Sequence, residues 1–350
     1  MLPELNMRRR ELLGLSLTSA AALVLGAPAR ADDLARLSII ISTAPGSTTD
    51  AVARAFAAAA RQQNPALTVD VQNRDGGSGR LALKACLEAK GQANGLCFLV
   101  GSLIYALLND GGDLRQQLSS VNLIGSLGAD RRALFVSTKL GIKSFADVLA
   151  HGEPLVVPTV TAGASSHIEA LMVNALTGAR LKPVAGYSSP ERKLALLSGE
   201  ATAVVGSVDT FADLVEQGVL QAVLRLNDGG PDAPYGELPL LADVAKGNDA
   251  PLLTRLIADV AAANILIVAP PGLSGAEVDL LAALFDRTTA AMQAVVTPGL
   301  VKAEIRPASR ATLMQHAGVL LAADPALAAA FTRATACGQD LADGKSCAAG

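Results

Sequence analysis

Apolar positions along this chain follow two periods that alternate. Short β-branched or Leu-rich runs at 37–42, 67–71 and 96–100 are separated by Ala/Leu stretches at 48–63 and 80–89 with helical spacing. Strand, helix, strand in succession predicts a parallel sheet wrapped by helices. Further strands are predicted at 121–127 and 133–137. The pattern then starts again, with strands at 155–157, 181–185, 201–205 and 220–226 and helices ending near 176 and covering 190–197 and 211–217. This second unit reads as a smaller α/β lobe. Pro, Gly and Asp crowd 228–234, a loop that returns the chain to the first lobe. A strand at 264–269, a helix from a capping-box-like Ser274-Gly275-Ala276-Glu277 to about 295, and helical segments near 298–304 and 311–322 follow. The expected division is 32–128 plus 227–336 as lobe 1, 129–226 as lobe 2, and 337–350 as a C-terminal tail.

Two of the strand-to-helix turns carry candidate chemistry. In the first, Ile39, Ile40 and Ile41 give way to Pro45-Gly46 and then to Ser47, Thr48, Thr49 and Asp50, which open the helix. Backbone N–H groups at a helix start lack helical acceptors and lie at the positive end of the dipole, so such a turn favours an anion. In the second, Thr159 to His167 repeats the design with Gly163, Ala164, Ser165 and Ser166. Either turn alone is in most proteins simply an N-cap. A pair, one per lobe and both at carboxyl ends of strands, should face one crevice and act as a clamp on a carboxylate.

The rest of the composition narrows the classes. Half of the 350 residues are apolar and 17% are charged, which makes a buried core easy and disorder improbable. Removing 1–31, which carries net +2, leaves −5 for the remainder. A mildly acidic body with no basic block argues against a nucleic-acid partner, and three Tyr, seven Phe and no Trp argue against a stacking platform. Arg8-Arg9-Arg10, an apolar run from 12 to 26 and Ala27-Pro28-Ala29-Arg30-Ala31 make residues 1–31 a signal peptide. The Arg9-Arg10 pair suits a twin-arginine signal, three arginines also suit an ordinary n-region, and either Met1 or Met7 could be the start. The chain is therefore expected to be exported. Four cysteines allow three connectivities; local pairing, Cys86–Cys97 and Cys337–Cys347, closes two short loops and is the expectation.

Competing chemistries find little support. Gly76-Gly77-Ser78-Gly79 lacks the spacing of a nucleotide loop and reads as a structural turn, with Asn73 and Arg74 fixing it or Arg74 reaching a ligand. Ser166 and His167 are helix neighbours pointing about 100° apart, a poor nucleophile and base pair, and no Gly-x-Ser-x-Gly elbow exists. His151, His167 and His316 have no i,i+4 or Cys partner, so neither a metal nor a cofactor is expected.

The ordered motifs do resemble a family. Pro45-Gly46-Ser47-Thr48-Thr49-Asp50-Ala51-Val52-Ala53-Arg54 resembles the Pro-Gly-Gly-x-x-Asp-x-x-Ala-Arg turn of the substrate-binding proteins of tripartite tricarboxylate transporters, the Bug-type receptors. Asn73 to Gly79 resembles their Asn-Arg-Pro-Gly-Ala-Gly-Gly segment, and Gly163 to His167 their Gly-x-x-Ser-x-His turn. Leu238-Pro239 with Asp243, and Ala269-Pro270-Pro271-Gly272, are similar to later Pro-rich landmarks. The resemblance implies a two-lobed periplasmic binding protein of type II-like architecture, each lobe a mainly parallel sheet flanked by helices, with the ligand cleft between lobes. It implies a monomeric receptor that closes over a small carboxylate and hands it to membrane permease subunits. Gly46, Ser47, Thr48 and Thr49 would form one jaw and Gly163, Ala164, Ser165 and Ser166 the other, with Asp50 and His167 supporting them or touching the ligand. Ser102 and Tyr105, then Tyr187, Ser207 and Asp209, would line the pocket and set selectivity. The family's second Gly is Ser47 here, and its Tyr-Lys-Gly is Gly186-Tyr187-Ser188. Two other readings stand beside this one: a receptor that signals occupancy to a membrane kinase, and a hydrolase on the same scaffold.

Overall fold

A computed structural model describes residues 34–109, 112–128, 130–228, 235–295, 306–314 and 325–347. The signal peptide expected at 1–31, the helical segment expected at 298–304 and most of that at 311–322 lie outside the described residues.

The first lobe is built on strands β1 (Arg36–Ile41), β2 (Thr68–Asn73), β3 (Gly95–Val100) and β4 (Asn122–Leu127), with helices α1 (Thr48–Gln63), α2 (Arg80–Glu88), α3 (Ser102–Asn109) and α4 (Asp113–Ser120). The second holds β5 (Arg132–Ser137), α5 (Phe145–Ala150), β6 (Leu155–Thr159), α6 (Ser165–Thr177), β7 (Leu181–Ala185), α7 (Ser189–Ser198), β8 (Ala203–Ser207), α8 (Val208–Glu216) and β9 (Leu220–Arg225). The chain then adds α9 (Leu241–Val244), α10 (Ala250–Ala262), β10 (Ile265–Ala269), α11 (Gly275–Val295), β11 (Pro307–Ser309) and α12 (Pro325–Ala342). Strand order in the first lobe is β11-β4-β10-β3-β1-β2; the second has β8-β5-β9 and a β6-β7 pair joined to β8's side by Thr202 N–H donating to Val156 O at 3.0 Å. The architecture is that of a two-lobed α/β binding protein.

Strand direction departs from the expectation of mainly parallel sheets. β1 pairs parallel with β2 and β3, and β6 with β7, as helical crossovers require. β10 lies antiparallel between β3 and β4, and β5 lies antiparallel between β8 and β9. Both are strands at which the chain has just passed from one lobe to the other and enters the sheet from the opposite end, so no crossover imposes a parallel sense.

Each lobe closes on an aromatic centre. In the first, α1 and α11 bring Phe56 and Phe285 together at 6.1 Å between centroids, with Phe98 of β3 edge-on to Phe56 at 5.5 Å. In the second, Phe135 and Phe211 meet at 6.0 Å. α3 escaped the sequence reading; it is a short, largely apolar helix in which Leu103, Ile104, Tyr105 and Leu107 are buried, and a short apolar run does not distinguish helix from strand.

Two passages cross between the lobes. The side chain of Asn227 ties them, accepting from Arg132 N–H and donating to Asp130 O at 2.8 and 2.9 Å, and Asp130 N–H donates to Ala261 O at 3.0 Å. Residues 227–336 were assigned to the first lobe from sequence, yet part of this stretch packs on the second. Arg225 N–H donates to Pro239 O, Lys246 N–H donates to Leu176 O, and α12 lies along α6, where Asn174 Nδ2 donates to Gly338 O at 3.1 Å.

The cysteines divide. Cys337, inside α12, is bridged to Cys347 as expected. The expected Cys86–Cys97 bridge is absent: both are free, buried thiols. α2 packs on β3 and sets them side by side, where each serves as a small apolar core residue. Burial, and then the neighbouring Cys86, pushes the Cys97 thiol well above its ordinary range.

Candidate ligand-binding cleft

The turn after β1 is locked before α1 begins. Ser47, extended at φ −75° and ψ 164°, caps the helix by accepting from Asp50 N–H at 3.2 Å, and its Oγ lies 2.7 Å from Thr43 Oγ1. Gly46 takes φ +80°, a conformation open to glycine. Asp50 points away from the opening: its carboxylate accepts from Gly46 N–H at 2.9 Å, Arg54 Nε at 3.0 Å and Asn73 Nδ2 at 2.9 Å. Burial works against that charge, but the bonds from Arg54, Gly46 and Asn73 outweigh it and hold the carboxyl below its ordinary value. The result is a rigid loop in which the N–H groups of Thr48 and Thr49 have no protein acceptor among the described residues.

The turn after β6 reaches the same outcome differently. Its N-cap is Ala164, at φ −68° and ψ 147°, which has no side chain to offer, so the N–H groups of Ser165 and Ser166 are also left without an acceptor among the described residues. His167 turns inward, buried, with Nδ1 3.1 Å from Thr159 Oγ1. Burial lowers its pKa, which keeps the ring neutral. It braces the turn and makes no bond to Ser166.

The two turns face one cleft of about 610 Å³, whose wall includes Thr43, Gly46, Ser47, Thr48 and Thr49 from one lobe and Ala164, Ser165 and Ser166 from the other. Gly163 stands at the rim, where a Cβ would come within 2.6 Å of Ser78 Oγ from the opposite lobe. Ser207 and Asp209 also reach the cleft wall. Asp209 is no bare charge, because Arg131 Nη2 donates to it at 2.8 Å.

Other expected site residues lie away from the cleft wall. Asp50 and His167 stand behind the jaws, in the supporting place that was one of their two expected roles. Ser102 and Tyr105 are buried in α3 and do not line the cleft; Tyr105 OH instead donates to Glu169 Oε1 at 3.3 Å. Tyr187 lines a separate shallow depression over α7 and bonds to Glu200. A tyrosine following a strand end in sequence gave no information on which side of its helix the core would claim.

Several cleft residues carry no local sequence signal. Arg132 lies in the wall, with Nη1 donating to Asp130 at 3.0 Å and Nε to Glu169 Oε2 at 2.9 Å. Burial acts against its charge, but Glu169 and Asp130 outweigh it and keep the guanidinium protonated. Arg192 and Lys193 of α7 and Phe211 of α8 complete this side, and Asn264 lies opposite. Lys193 is paired with Asp213 at 2.9 Å. Among the described residues the Arg192 side chain donates only to backbone oxygens, to Pro158 O at 3.0 Å and Val205 O at 3.3 Å, with its guanidinium 5.2 Å from the Phe211 ring centre.

A cleft between two α/β lobes, floored by helix starts and crossed by paired connections, defines the fold of a periplasmic binding protein. Solved solute receptors of the TctC and Bug type share this fold. BugD superposes with a TM-score of 0.63 at 18% identity over 85% of this chain and 97% of that one. A TctC solute-binding protein from Polaromonas gives 0.57 at 17% identity, covering 88% and 98%. MatC from Rhodopseudomonas palustris, solved with malate bound, gives 0.59 at 16% identity, covering 88% and 99%. No family model and no curated protein matches the sequence.

Proposed function

We propose that this chain is an extracytoplasmic receptor that closes over a small carboxylate and delivers it, as a monomer, to a membrane permease of the tripartite tricarboxylate type. One observation carries the reading: the acceptor-free amides of Thr48, Thr49, Ser165 and Ser166 come from two lobes and face one cleft. A carboxylate has lone pairs enough to satisfy helix starts on both sides at once, so its binding favours the closed arrangement over the open one. The malate held by MatC supports a carboxylate as ligand class. The N-terminal leader supports export to the periplasm, with the Arg9-Arg10 pair suiting a twin-arginine signal and the three arginines an ordinary one. A receptor of this kind binds without turnover, and the Ser166–His167 neighbours, braced apart by Thr159, supply no catalytic pair.

The test removes, at each jaw, one amide hydrogen together with the side-chain hydroxyl beside it. Proline is tolerated at the first helical position, and both preceding residues, Ser47 and Ala164, already have the extended conformation that a following proline requires. A thermal-shift screen of mono-, di- and tricarboxylates identifies a ligand. Thr48→Pro and Ser165→Pro should then each lower its affinity about tenfold or more while the free protein melts as before. Unchanged affinity in both variants, or no stabilisation by any carboxylate, would refute the reading.

A further inference from the structure

The walls of the cleft carry three cations, and two of them are neutralised within the protein. Arg132 sits between Asp130 and Glu169, and Lys193 is paired with Asp213. Arg192 differs: among the described residues no carboxylate pairs with it, and its two side-chain hydrogen bonds go to the carbonyls of Pro158 in β6 and Val205 in β8. Its third nitrogen, Nη1, makes no protein hydrogen bond among the described residues. The acid whose charge acts on it, Glu169, is already engaged, with Oε2 on Arg132 and Oε1 on Tyr105. Burial, and then the neighbouring charge of Arg132, pushes Arg192 down to about 10.

A guanidinium out of bulk water without a counter-ion is costly, and Arg cannot escape by releasing its proton at neutral pH. The carbonyls of Pro158 and Val205 and the face of Phe211 fix its plane, so the group is held for a partner rather than free to swing into solvent. Around it in the cleft wall stand Ser189, Ser207 and Thr210, small polar groups from the first turns of α7 and α8 and their approach. Ser207 is the N-cap of α8, yet its hydroxyl makes no capping bond. This cluster is separate from the four jaw amides, which already suit one carboxylate.

We propose that Arg192 is the counter-ion for a second anionic group of the bound acid, so that the cleft selects a dicarboxylate over its singly charged counterpart. The inference rests on the receptor reading above and adds the residue that measures charge at the far end of the ligand. Arg192 is a specificity-determining residue: the jaws hold one carboxylate, and the guanidinium presents Nη1 and its charge to the other.

The test compares the straight-chain diacids from succinate to suberate with their monomethyl esters by calorimetry on the purified protein. Esterification removes one charge and keeps the chain. The best-bound diacid should exceed its ester about tenfold or more, the ratio expected of a charge-assisted hydrogen bond. In Arg192→Gln that preference should vanish, with ester affinity within about twofold of the unsubstituted protein. Arg192→Lys should keep the preference in weaker form, since the charge survives without the planar fork. Equal affinity for diacid and ester in the unsubstituted protein, or a preference undiminished in Arg192→Gln, overturns the assignment while leaving the receptor reading intact. Should Arg192→Gln fail to fold, the ester comparison and Arg192→Lys still decide. Failure of every acid and ester to bind overturns the receptor reading itself.

Discussion

Tyr105 of the first lobe donates its hydroxyl hydrogen to Glu169 of the second across 3.3 Å, and neither side chain reaches solvent. The bond joins α3 to α6 directly behind the jaw that α6 begins. Glu169 in turn holds Arg132 in the cleft wall, so the wall and the inter-lobe contact form one connected set. Burial, then the Glu169 charge, pushes the Tyr105 phenol well above its ordinary range, which fixes it as the donor.

Tyr105→Phe isolates that bond. The ring keeps its stack on Phe331, whose centre lies 5.9 Å away, and Glu169 keeps Arg132. Stability should fall by about 1 kcal/mol, measured as a lower urea midpoint at unchanged slope. A fall of several kcal/mol would mean that the hydroxyl carries more of the lobe contact than one hydrogen bond.

Asp50→Asn tests the first jaw's brace. The variant leaves Arg54 without its carboxylate and weakens the bond from Gly46, so stability at neutral pH should drop by about 1 to 3 kcal/mol. The folded carboxyl titrates below that of the unfolded chain. Its contribution is therefore complete above about pH 4 and is lost as pH falls through the lower, folded value. Urea midpoints followed from pH 7 to pH 2 should show a shallower acid loss in the variant. Parallel curves would remove Asp50 from the account.

Gly338→Ala tests the seam between α12 and α6. A Cβ at Gly338 would fall 2.0 Å from Leu171 O, a backbone atom that cannot move aside without shifting α6. The helices must separate, at an expected cost of about 2 to 3 kcal/mol by denaturant unfolding. Gly275→Ala is the control, since nothing lies within 4 Å of its Cβ position, and should change stability by less than about 0.5 kcal/mol.

Much of this protein is written locally. The β-branched runs, the Pro45-Gly46 turn and the Ser-, Thr- and Gly-rich starts of α1 and α6 declare strand, turn and helix through steric and capping rules that act over a few residues. Those rules suffice for the strands and helices that flank the two turns, but not for α3, α4 and α5, which the sequence pattern did not announce. Strand sense was less accessible, because β5 and β10 are reversed by the path of the chain between lobes rather than by their own residues.

What the tertiary structure alone decided is which polar groups meet. Asp130, Arg132, Glu169 and Tyr105 converge from separate segments, and Arg192 is distinguished by the carboxylate it lacks, a property no stretch of sequence displays. Cys86 and Cys97 lie as neighbours without a bridge for a related reason: packing of α2 on β3 settled their fate, not their separation in the chain. Local preference acts through short-range sterics and backbone hydrogen bonding, whereas charge pairing and burial depend on three-dimensional proximity, which exists only once the two lobes have folded against each other.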